Sequence, residues 1–558
     1  MKRPHSSNTL LWSLLIGFVL VSLGVLGIRT LVPPDEGRYA EMAREMFASG
    51  DWITTRLNGI KYFEKPPLQT WMNALTFAAF GVGDWQARLW TGLCGIFGVL
   101  VTGYAGARVY SPRVGLYAAL VLGSSFYWIA CSQVNSLDMG LSGMMTLALG
   151  ALLVAQRDDA PPRERRNWML VCWAGMALAV LSKGLIGLIL PGGVLVFYTL
   201  FARDLEIWTR LHIGKGLLLF LAIAAPWFIL VGLKNPEQPH FFFIHEHFDR
   251  FLLKEHHREA SWWMYFALLA AGVIPWFGVL LQSLAQGVKR HTNAAGNGPE
   301  RFRPGMLLLV WVVFILAFFT SSESKLPGYL LPVFPAAALL TGAYLDVASR
   351  RSLLRNAALM VLLGALLLGL LPFMTKLGAH ASEQPLYQLY RPWVLAAGCV
   401  ALAGGIAALM TTRRNQRELA VIVLAVAGFG TTHLMLAGFE PIGRARAGAQ
   451  LLPAIQAELT PTTTIFAVGM YEQSLTFYLQ RPVTLVAYLD EFEFGLEQEP
   501  HLAMSSVNPF LAQWRADAKA GIKDIAITSA YVAREMQRGG EPVRIVAADA
   551  RRTVIANF

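Results

Sequence analysis

Long apolar runs alternate with short polar stretches over most of the chain. Because one bilayer crossing takes about 20 mostly apolar residues, each run predicts a membrane-spanning helix. About thirteen spans are predicted, at residues 10–32, 88–108, 113–130, 139–156, 167–182, 185–202, 213–233, 261–284, 306–320, 328–348, 353–374, 391–411 and 417–438. The first run is longer than the apolar core of a signal peptide and no Ala-x-Ala site follows it, so we expect a retained helix.

The basic residues of the loops predict the orientation of these spans. Short cytoplasmic loops are rich in Lys and Arg under the positive-inside rule. Every second loop is basic, and these loops cover residues 108–113, 157–166, 203–215, 289–303, 350–355 and 413–417. We therefore expect a cytoplasmic N-terminus and place the remaining loops on the outer side of the membrane.

Two long outer loops and a compositional change near the C-terminus complete the predicted layout. The loop 33–87 contains two short helical patterns, at 36–48 and 67–80; the first is amphipathic, as in helices that lie in the membrane interface. The second long loop covers 234–261. Short strand-like segments and helical stretches after residue 438 predict a small soluble α/β domain at 439–558, outside the membrane, beside a membrane domain at 1–438.

Composition agrees with a membrane protein and narrows the function classes. Of the 558 residues, 55% are hydrophobic and only 15% are charged, whereas soluble domains average about 25% charged. The net charge of +11 resides mostly in the short loops, which favours topology over nucleic-acid binding as its explanation. The four cysteines lie in or beside apolar runs without a Cys-x-x-Cys pair, so neither a disulfide framework nor a thiolate metal site is predicted.

The sequence also lacks the common nucleotide-binding signatures. Neither G-x-x-x-x-G-K-[ST] nor G-x-G-x-x-G before a helix occurs. Nucleotides are also absent outside the cell. An enzyme with its site on the outer face would therefore take its activated group from a donor already in the membrane, such as a polyprenyl-phosphate sugar.

Acidic residues at the outer ends of the spans are the first candidates for chemistry. Charges beside hydrocarbon are costly unless they are paired or lie in a wet cavity. Asp35 and Glu36 follow the first span, and Asp138 begins another. Such acids can position an acceptor, abstract a proton or bind an ammonium group, so Asp35 and Asp138 are the candidate catalytic residues. For Asp35 taken alone, the alternative is a helix N-cap.

Basic and aromatic residues of the outer loops are candidates for substrate binding. Lys65 could bind the phosphate of a lipid carrier as a compact charge, or could simply extend to the membrane interface. Arg250 and Lys325 could complete a phosphate site, and we expect them to face one outward cavity together with Asp138. The full set of candidate substrate-binding residues is Glu36, Arg38, Tyr39, Tyr62, Lys65, Lys183, Arg250, Lys325 and Tyr329.

The second long outer loop contains a histidine-rich stretch at 245–257. A His-x-His pair with nearby carboxylates can bind a divalent metal ion, so His245 and His247, with Glu64, are candidate ligands. The spacing is not that of a known zinc motif. An aromatic-rich amphipathic loop at the lipid headgroups explains the same residues equally well.

Three short motifs resemble the signatures of one enzyme family. Pro34-Asp35-Glu36-Gly37-Arg38-Tyr39, Phe63-Glu64-Lys65-Pro66-Pro67-Leu68 and Ser324-Lys325-Leu326-Pro327-Gly328-Tyr329 look like those of the ArnT aminoarabinose transferases. That family belongs to the GT-C class of polytopic α-helical glycosyltransferases and is related to the protein O-mannosyltransferases. The resemblance covers the whole chain, including thirteen helices and the C-terminal domain.

The resemblance implies a reaction and a location. The donor would be undecaprenyl phosphate carrying 4-amino-4-deoxy-L-arabinose, and the acceptor a phosphate of lipid A at the periplasmic face of the bacterial inner membrane. The product carries less negative charge, which weakens binding of polymyxin and other cationic peptides. The outer loops 33–87 and 234–261 would shape the active site.

The resemblance also assigns roles to residues. Asp35 matches the family's first-loop acid and Lys65 the lysine that would bind the carrier phosphate, while Asp138 and Arg250 match by loop position. A lipid A phosphate, with a second pKa of about 6, is already ionised at neutral pH. It needs little help from a general base, so we expect Asp35 to hold the sugar's ammonium group or to orient the acceptor.

Two other functions compete with this interpretation. The first is transfer of a different sugar to protein or to another lipid, because acceptor choice depends on cavity shape. The second is transport of a lipid or sugar. Transporters often show repeated halves and charges at the membrane midplane, and neither feature is visible in this sequence.

Overall fold

The computed structural model describes residues 6–249, 260–288, 301–378 and 383–558. Two compact units are present: Met1–Leu26 with Leu89–Met374 and Arg391–Gly438, and Gly27–Arg88 with Thr375–Tyr390 and Phe439–Phe558. The boundary that the sequence predicts after residue 438 is one of the boundaries between these units. The sequence does not predict that 27–88 and 375–390 belong with the C-terminal region.

The first unit is helical and spans the membrane several times. Its α-helices are Ser6–Gly24, Asp84–Val109 (from Leu89 onward), Pro112–Ser124, Phe126–Ser132, Leu137–Gln156, Pro162–Lys183, Ile186–Ala202, Ile213–Lys234, Met264–Gly272, Phe277–Gln286, Pro304–Ser321, Phe334–Val347, Arg350–Leu370, Gln384–Arg413 (from Arg391 onward) and Arg417–Gly438. Shorter helical turns are Leu205–Arg210, Gln238–His240, Phe241–Asp249, Pro327–Val333 and Leu371–Leu377, whose last three residues belong to the second unit.

These helices agree in position with the predicted spans. Among the residues that the structure describes, eight helices are long and apolar enough to cross a membrane, or up to ten if each of two bent pairs is one span. Each predicted span coincides with a helix or a helix pair, and the number thirteen stays a prediction. The first span is shorter than expected, because its helix ends at Gly24 rather than near residue 32.

Two of the predicted spans are bent pairs of helices. Pro112–Ser124 meets Phe126–Ser132 at 64°, and Met264–Gly272 meets its successor at 109°. The two breaks contact each other: the Phe126 N–H donates to the Ile274 carbonyl at 3.1 Å, and the Trp276 indole N–H donates to Ser124 Oγ at 2.9 Å. Irregular backbone in a membrane needs such internal partners, because lipid offers none.

One tight helical hairpin brings two candidate residues to the same end. Leu137–Gln156 and Pro162–Lys183 are antiparallel neighbours, and a Cβ on Gly175 would lie 2.9 Å from the Ala148 nitrogen. Small residues permit this approach, as is usual between membrane helices. Asp138 starts the first helix and Lys183 ends the second, so the hairpin itself places the two side chains together.

The second unit combines the first outer loop with a C-terminal α/β layer. The loop forms the helices Asp35–Ser49 and Leu68–Phe80, which confirms both predicted helices, and a small hairpin of β1 (Arg56–Leu57) and β2 (Ile60–Lys61). The six-stranded sheet comprises β3 (Thr464–Val468), β4 (Thr484–Val486), β5 (Ala503–Met504), β6 (Asp524–Thr528), β7 (Arg544–Ala548) and β8 (Thr553–Ala556), in the order β5-β4-β3-β6-β8-β7.

The sheet is parallel from β5 to β6, and β8 is antiparallel to both β6 and β7. Its helices are Glu440–Arg446, Leu452–Glu458, Gln473–Leu479, Glu493–Gln498, Val507–Ala520 and Ala530–Arg538, with single turns at Ala449–Leu451, Asp490–Phe492 and Pro500–Leu502. Phe466, Phe510 and Trp514 are fully buried in the core that they form on one face. The strand-like segments predicted after residue 438 are therefore present, as strands of this sheet.

Candidate active site

Asp35 is the first residue of its helix and points a half-exposed carboxylate outward. Pro34 occupies the N-cap position and no side chain caps the helix. The Asp35 side chain is 51% exposed and accepts a hydrogen bond from the Arg38 guanidinium at 3.1 Å. The N-cap alternative for Asp35 is therefore wrong, and its carboxylate is accessible to a ligand.

Glu36, the neighbouring acid, is buried in an ion pair. Its two oxygens accept hydrogen bonds from Arg88 at 2.6 and 2.9 Å, and a third arrives from the Val32 N–H at 3.0 Å. Burial alone would raise the pKa of Glu36, but the Arg88 charge and hydrogen bonds hold it below its ordinary value. Such a position favours a structural role over contact with substrate, and the assignment of Glu36 to substrate binding stays a prediction.

Arg88 also holds the backbone of the segment that precedes the acidic motif. Its guanidinium donates to the backbone carbonyls of Arg29 and Thr30, the latter at 3.0 Å. Both carbonyls belong to the segment that follows the end of the first helix at Gly24. The acidic motif is thereby tied to the chain segment before it.

The C-terminal domain contacts the motif directly. Arg38 pairs with Glu491 at 2.5 Å, and Gln473 donates to the same carboxylate at 2.5 Å. A Cβ at Gly37 would lie 2.5 Å from the Ser474 nitrogen, so only glycine permits this close approach. Burial raises the pKa of Glu491, while the charge of Arg38 opposes the shift.

Two tyrosines of the first outer loop are buried close to these charges. Tyr39 and Tyr62 are 6% and 2% exposed. Burial first, and then the charge of Glu64, raises the pKa of Tyr62 well above its ordinary value. Its hydroxyl stays neutral at physiological pH and retains its proton as a hydrogen-bond donor.

Lys65 and Glu64 lie together at the end of the hairpin segment. The Lys65 ammonium is 3.7 Å from Glu64 Oε2 and donates to the Glu64 carbonyl at 2.8 Å. Both side chains are partly exposed, at 17% and 23%. The pair presents one positive and one negative group at a surface that solvent can reach.

The segment before Lys65 is held by the C-terminal domain as well. Arg56 pairs with Glu499 at 2.9 Å, and the Phe63 ring packs edge-on against Phe494 at 6.2 Å. Asn58 exchanges two hydrogen bonds with the backbone of Val483, at 2.8 and 2.7 Å. The domain therefore supports this segment of the first loop.

A second cluster of candidate residues lies within the first unit. Lys183 and Asp138 form an ion pair, with side chains 14% and 18% exposed. The Lys183 ammonium lies 4.7 Å from the centre of the Tyr329 ring, a cation–π contact. A Cβ at Gly328 would overlap the Asp138 carboxylate, so the glycine of the third motif lets the backbone approach this acid.

Lys325 belongs to the same motif but has a different partner. Its ammonium donates to the Ser322 carbonyl at 2.6 Å, and the Tyr265 hydroxyl donates to the Leu326 carbonyl at 3.0 Å. These bonds fix the shape of the loop before Tyr329. That Asp138, Lys325 and Arg250 face one cavity stays a prediction. Arg250 lies outside the described residues.

The metal hypothesis gains no support from the residues that the structure describes. Among them, no group of three or more His, Cys, Asp or Glu side chains could hold a metal ion. His245 stacks on Phe241 with ring centres 5.3 Å apart. The His247 side chain lies outside the described residues, and a site formed by Glu64, His245 and His247 stays a prediction.

Sequence reasoning missed the contacts of three residues that shape these clusters, Arg88, Glu491 and Gly328. Arg88, at the start of a long apolar helix, was a visible signal, because an arginine there needs a partner. Glu491 gave no such signal, and the third motif that contains Gly328 did not indicate its contact with Asp138. Their roles depend on contacts between segments that are far apart in the chain.

Comparison with known proteins identifies the family. Residues 451–557 match the family model "Aminoarabinose transferase C-terminal domain", and residues 64–230 match "Dolichyl-phosphate-mannose-protein mannosyltransferase". The chain is 32% identical to an undecaprenyl phosphate-alpha-4-amino-4-deoxy-L-arabinose arabinosyl transferase of Aeromonas salmonicida, over 66% of this chain and 67% of that protein. A transferase of the same name from Sodalis glossinidius is 34% identical, over 59% of this chain and 58% of its own length.

Other relatives match over nearly the full length. A third transferase with this name, from Pseudomonas fluorescens, is 29% identical over 91% of this chain and 86% of its own length. The crystal structure of ArnT from Cupriavidus metallidurans bound to undecaprenyl phosphate has a TM-score of 0.91 and 38% identity, over 99% of this chain and 98% of that one. Its apo state gives 0.90 and 37%. This chain therefore belongs to the ArnT family of aminoarabinose transferases and is a membrane-spanning glycosyltransferase.

Proposed function

We propose that this chain transfers 4-amino-4-deoxy-L-arabinose from undecaprenyl phosphate to a phosphate of lipid A. The observation that carries the proposal is the full-length similarity to an ArnT whose structure contains undecaprenyl phosphate. The three short motifs that resemble the family's signatures support the same proposal. The product would confer resistance to polymyxin and other cationic peptides.

The reaction requires charge stabilisation more than proton removal. An oxygen of the acceptor phosphate attacks the anomeric carbon of the sugar, and the bond from that carbon to the carrier phosphate breaks. The electron pair leaves with undecaprenyl phosphate, which gains negative charge. Because the acceptor is already ionised near neutral pH, positive groups beside the leaving phosphate should contribute most to catalysis.

We assign roles to partly exposed candidate residues within each unit, taken separately. Lys65 would bind the carrier phosphate, since its ammonium lies at an accessible surface. Asp35 would hold the ammonium of the amino sugar or orient the acceptor, since its carboxylate is half exposed. Asp138, which is paired with Lys183, would likewise hold the ammonium of the amino sugar or orient the acceptor. Tyr329 would keep Lys183 in place through its cation–π contact.

We also infer the placement of the chain in the bacterial inner membrane. Thirteen spans, a cytoplasmic N-terminus and a periplasmic C-terminal domain follow from the basic loops. Single cysteines test this orientation. The exposed Cys399 is first replaced, and a cysteine is then introduced at exposed Arg414 or at exposed Arg534. An impermeant maleimide should label only the Arg534 position in intact cells. Labelling at the Arg414 position alone would show that the orientation is the opposite of the one proposed.

Mass spectrometry of lipid A tests the activity. The gene should be expressed in a host that makes the donor but lacks its own transferase. Aminoarabinose on a lipid A phosphate, together with restored polymyxin resistance, is the expected result. Unmodified lipid A beside a newly glycosylated protein would favour the second candidate, a protein O-mannosyltransferase-like activity, which the match at residues 64–230 supports.

A further inference from the structure

A cleft of about 490 Å³ in the second unit combines basic and apolar walls. It is lined by Glu383, Leu386, Tyr387, Leu389, Pro441, Ile442, Arg444, Ala445, Arg446, Gln450, Asp549, Ala550 and Arg551. None of these residues is among the candidates for sugar transfer. The cleft contains three arginines and two acids, so its walls carry an excess of positive charge.

The three arginines are available to an anion. Arg444, Arg446 and Arg551 are exposed, and none of them pairs with a carboxylate in the part of the chain that the structure describes. Arg446 lies over the Phe439 ring at 5.6 Å, which orients its side chain without neutralising it. Guanidinium groups bind phosphate oxygens in a bidentate manner, so this set is suited to a phosphate.

The acid nearest to Arg551 already has other partners. Asp549 pairs with Arg552 at 2.9 Å and accepts a hydrogen bond from Gln450 at 3.1 Å. Its other oxygen accepts the backbone N–H groups of Arg551 and Arg552, at 2.8 and 2.7 Å. The carboxylate therefore shapes the turn between β7 and β8 and leaves the guanidinium of Arg551 for a ligand.

The two walls of the cleft are joined by a buried arginine. The Arg552 side chain is 0% exposed. It pairs with Asp549 in one wall and donates to the Ala445 and Arg446 carbonyls in the other. Since Glu472 also pairs with it at 2.8 Å, the spacing of the walls is fixed before any ligand arrives.

The chain itself places the cleft beside the membrane. Residues 384–389 begin the spanning helix Gln384–Arg413, and residues 441–446 follow the last spanning helix, Arg417–Gly438. Leu389 is 59% exposed next to the basic wall. A phosphate with an apolar tail satisfies both surfaces, whereas a free phosphate uses only one, and basic clusters at membrane edges attract anionic lipids.

We propose that this cleft binds the phosphate headgroup of an anionic phospholipid of the surrounding membrane. The arginines contact the phosphate, and the acyl chains lie along Leu386 and Leu389. The cleft shares no residue with the candidates for sugar transfer, so lipid binding can be tested whether or not the proposed reaction is correct.

Native mass spectrometry of the full chain in detergent tests the site. The protein is titrated with phosphatidylglycerol or with zwitterionic phosphatidylcholine, as wild type and as the triple variant Arg444→Gln/Arg446→Gln/Arg551→Gln. A control variant removes the same charge from exposed residues elsewhere in the domain, as Lys519→Gln/Arg534→Gln/Arg538→Gln. We expect wild type and control to prefer phosphatidylglycerol, and the triple variant to bind it at least tenfold more weakly.

Several results would overturn the proposal. Equal phosphatidylglycerol binding by wild type and the triple variant would exclude the cleft, as would an equal loss in the control variant. Inorganic phosphate that competes as well as the lipid, mole for mole, would identify a free anion as the ligand. Displacement by lipid A at much lower concentration, with a raised KM for lipid A in the triple variant, would make the cleft an acceptor site instead.

Discussion

The adjacent acids Asp35 and Glu36 should respond to substitution in opposite ways. The Glu36–Arg88 pair has side-chain exposures of 3% and 0%, and its two charged hydrogen bonds measure 2.6 and 2.9 Å. Replacing one partner leaves the other charge buried without compensation, which typically costs about 3–5 kcal/mol. At about 2–4 °C per kcal/mol for a unit of this size, Glu36→Gln should lower the melting temperature by roughly 6–20 °C.

Asp35→Asn is the matched control for this measurement. The Asp35 side chain is 51% exposed and has one ion pair, with Arg38, and exposed pairs contribute about 0–1 kcal/mol. We expect its melting temperature to change by less than about 3 °C, while transfer to lipid A falls strongly. The opposite outcome for either variant would refute the division into a structural and a functional acid.

The assay is thermal unfolding of the purified chain in detergent, followed by tryptophan fluorescence and by the monodisperse fraction in gel filtration. Because the pKa of Glu36 is held low, its contribution should be present above the unfolded pKa near 4.5 and be lost as pH falls below it. The difference between wild type and Glu36→Gln should therefore shrink below about pH 4.5. A difference that is constant down to pH 3 would contradict the ion-pair explanation.

Other contacts lead to further predictions. Glu491→Gln should leave transfer measurable but raise the KM, because Arg38 loses its buried partner. The control Gln498→Ala, in the same region, should leave the KM unchanged. Equal kinetic constants for both variants would show that Glu491 is not a positioning residue. Gly328→Ala should reduce transfer at least tenfold by displacing Asp138. The control Gly369→Ala, with nothing within 4 Å of the new Cβ, should leave transfer unchanged. Normal transfer by Gly328→Ala would show that the close approach of Gly328 to Asp138 is dispensable. Burial, and then the charge of Glu41, raise the pKa of Glu45 to about 8. The wild-type melting temperature should therefore fall as pH rises from 4.5 to 8, and the melting temperature of Glu45→Gln should depend less on pH. Parallel plots of melting temperature against pH for the two proteins would show that Glu45 does not cause this dependence.

The C-terminal domain acquires a role that its sequence does not reveal. Its strands and helices contain no catalytic motif, yet Glu491, Ser474 and Glu499 contact the first outer loop. The glycine of the first motif is required by this contact rather than by the reaction. Within the first motif of this chain, Asp35 is half exposed, whereas Glu36, Gly37 and Arg38 make contacts inside the protein.

The sequence by itself determined the features that depend on local pattern. Apolar runs of sufficient length predict spanning helices because hydrocarbon allows few alternatives, and helical periodicity located Asp35–Ser49 and Leu68–Phe80 within a residue or two. The alternation of basic loops predicted an orientation. The short motifs pointed to Asp35, Lys65 and the segment that ends at Tyr329.

Only the tertiary structure decided which charges are exposed and which are paired. Asp35 and Glu36 are neighbours with the same chemistry, but helix geometry turns Glu36 toward Arg88, 52 residues away, and leaves Asp35 half exposed. Asp138 and Lys183 meet because two helices fold back on each other, and the chain extends to Gly328 to complete that cluster. Such contacts form when the interactions gained exceed the entropic cost of bringing distant segments together. No local pattern of residues contains that balance.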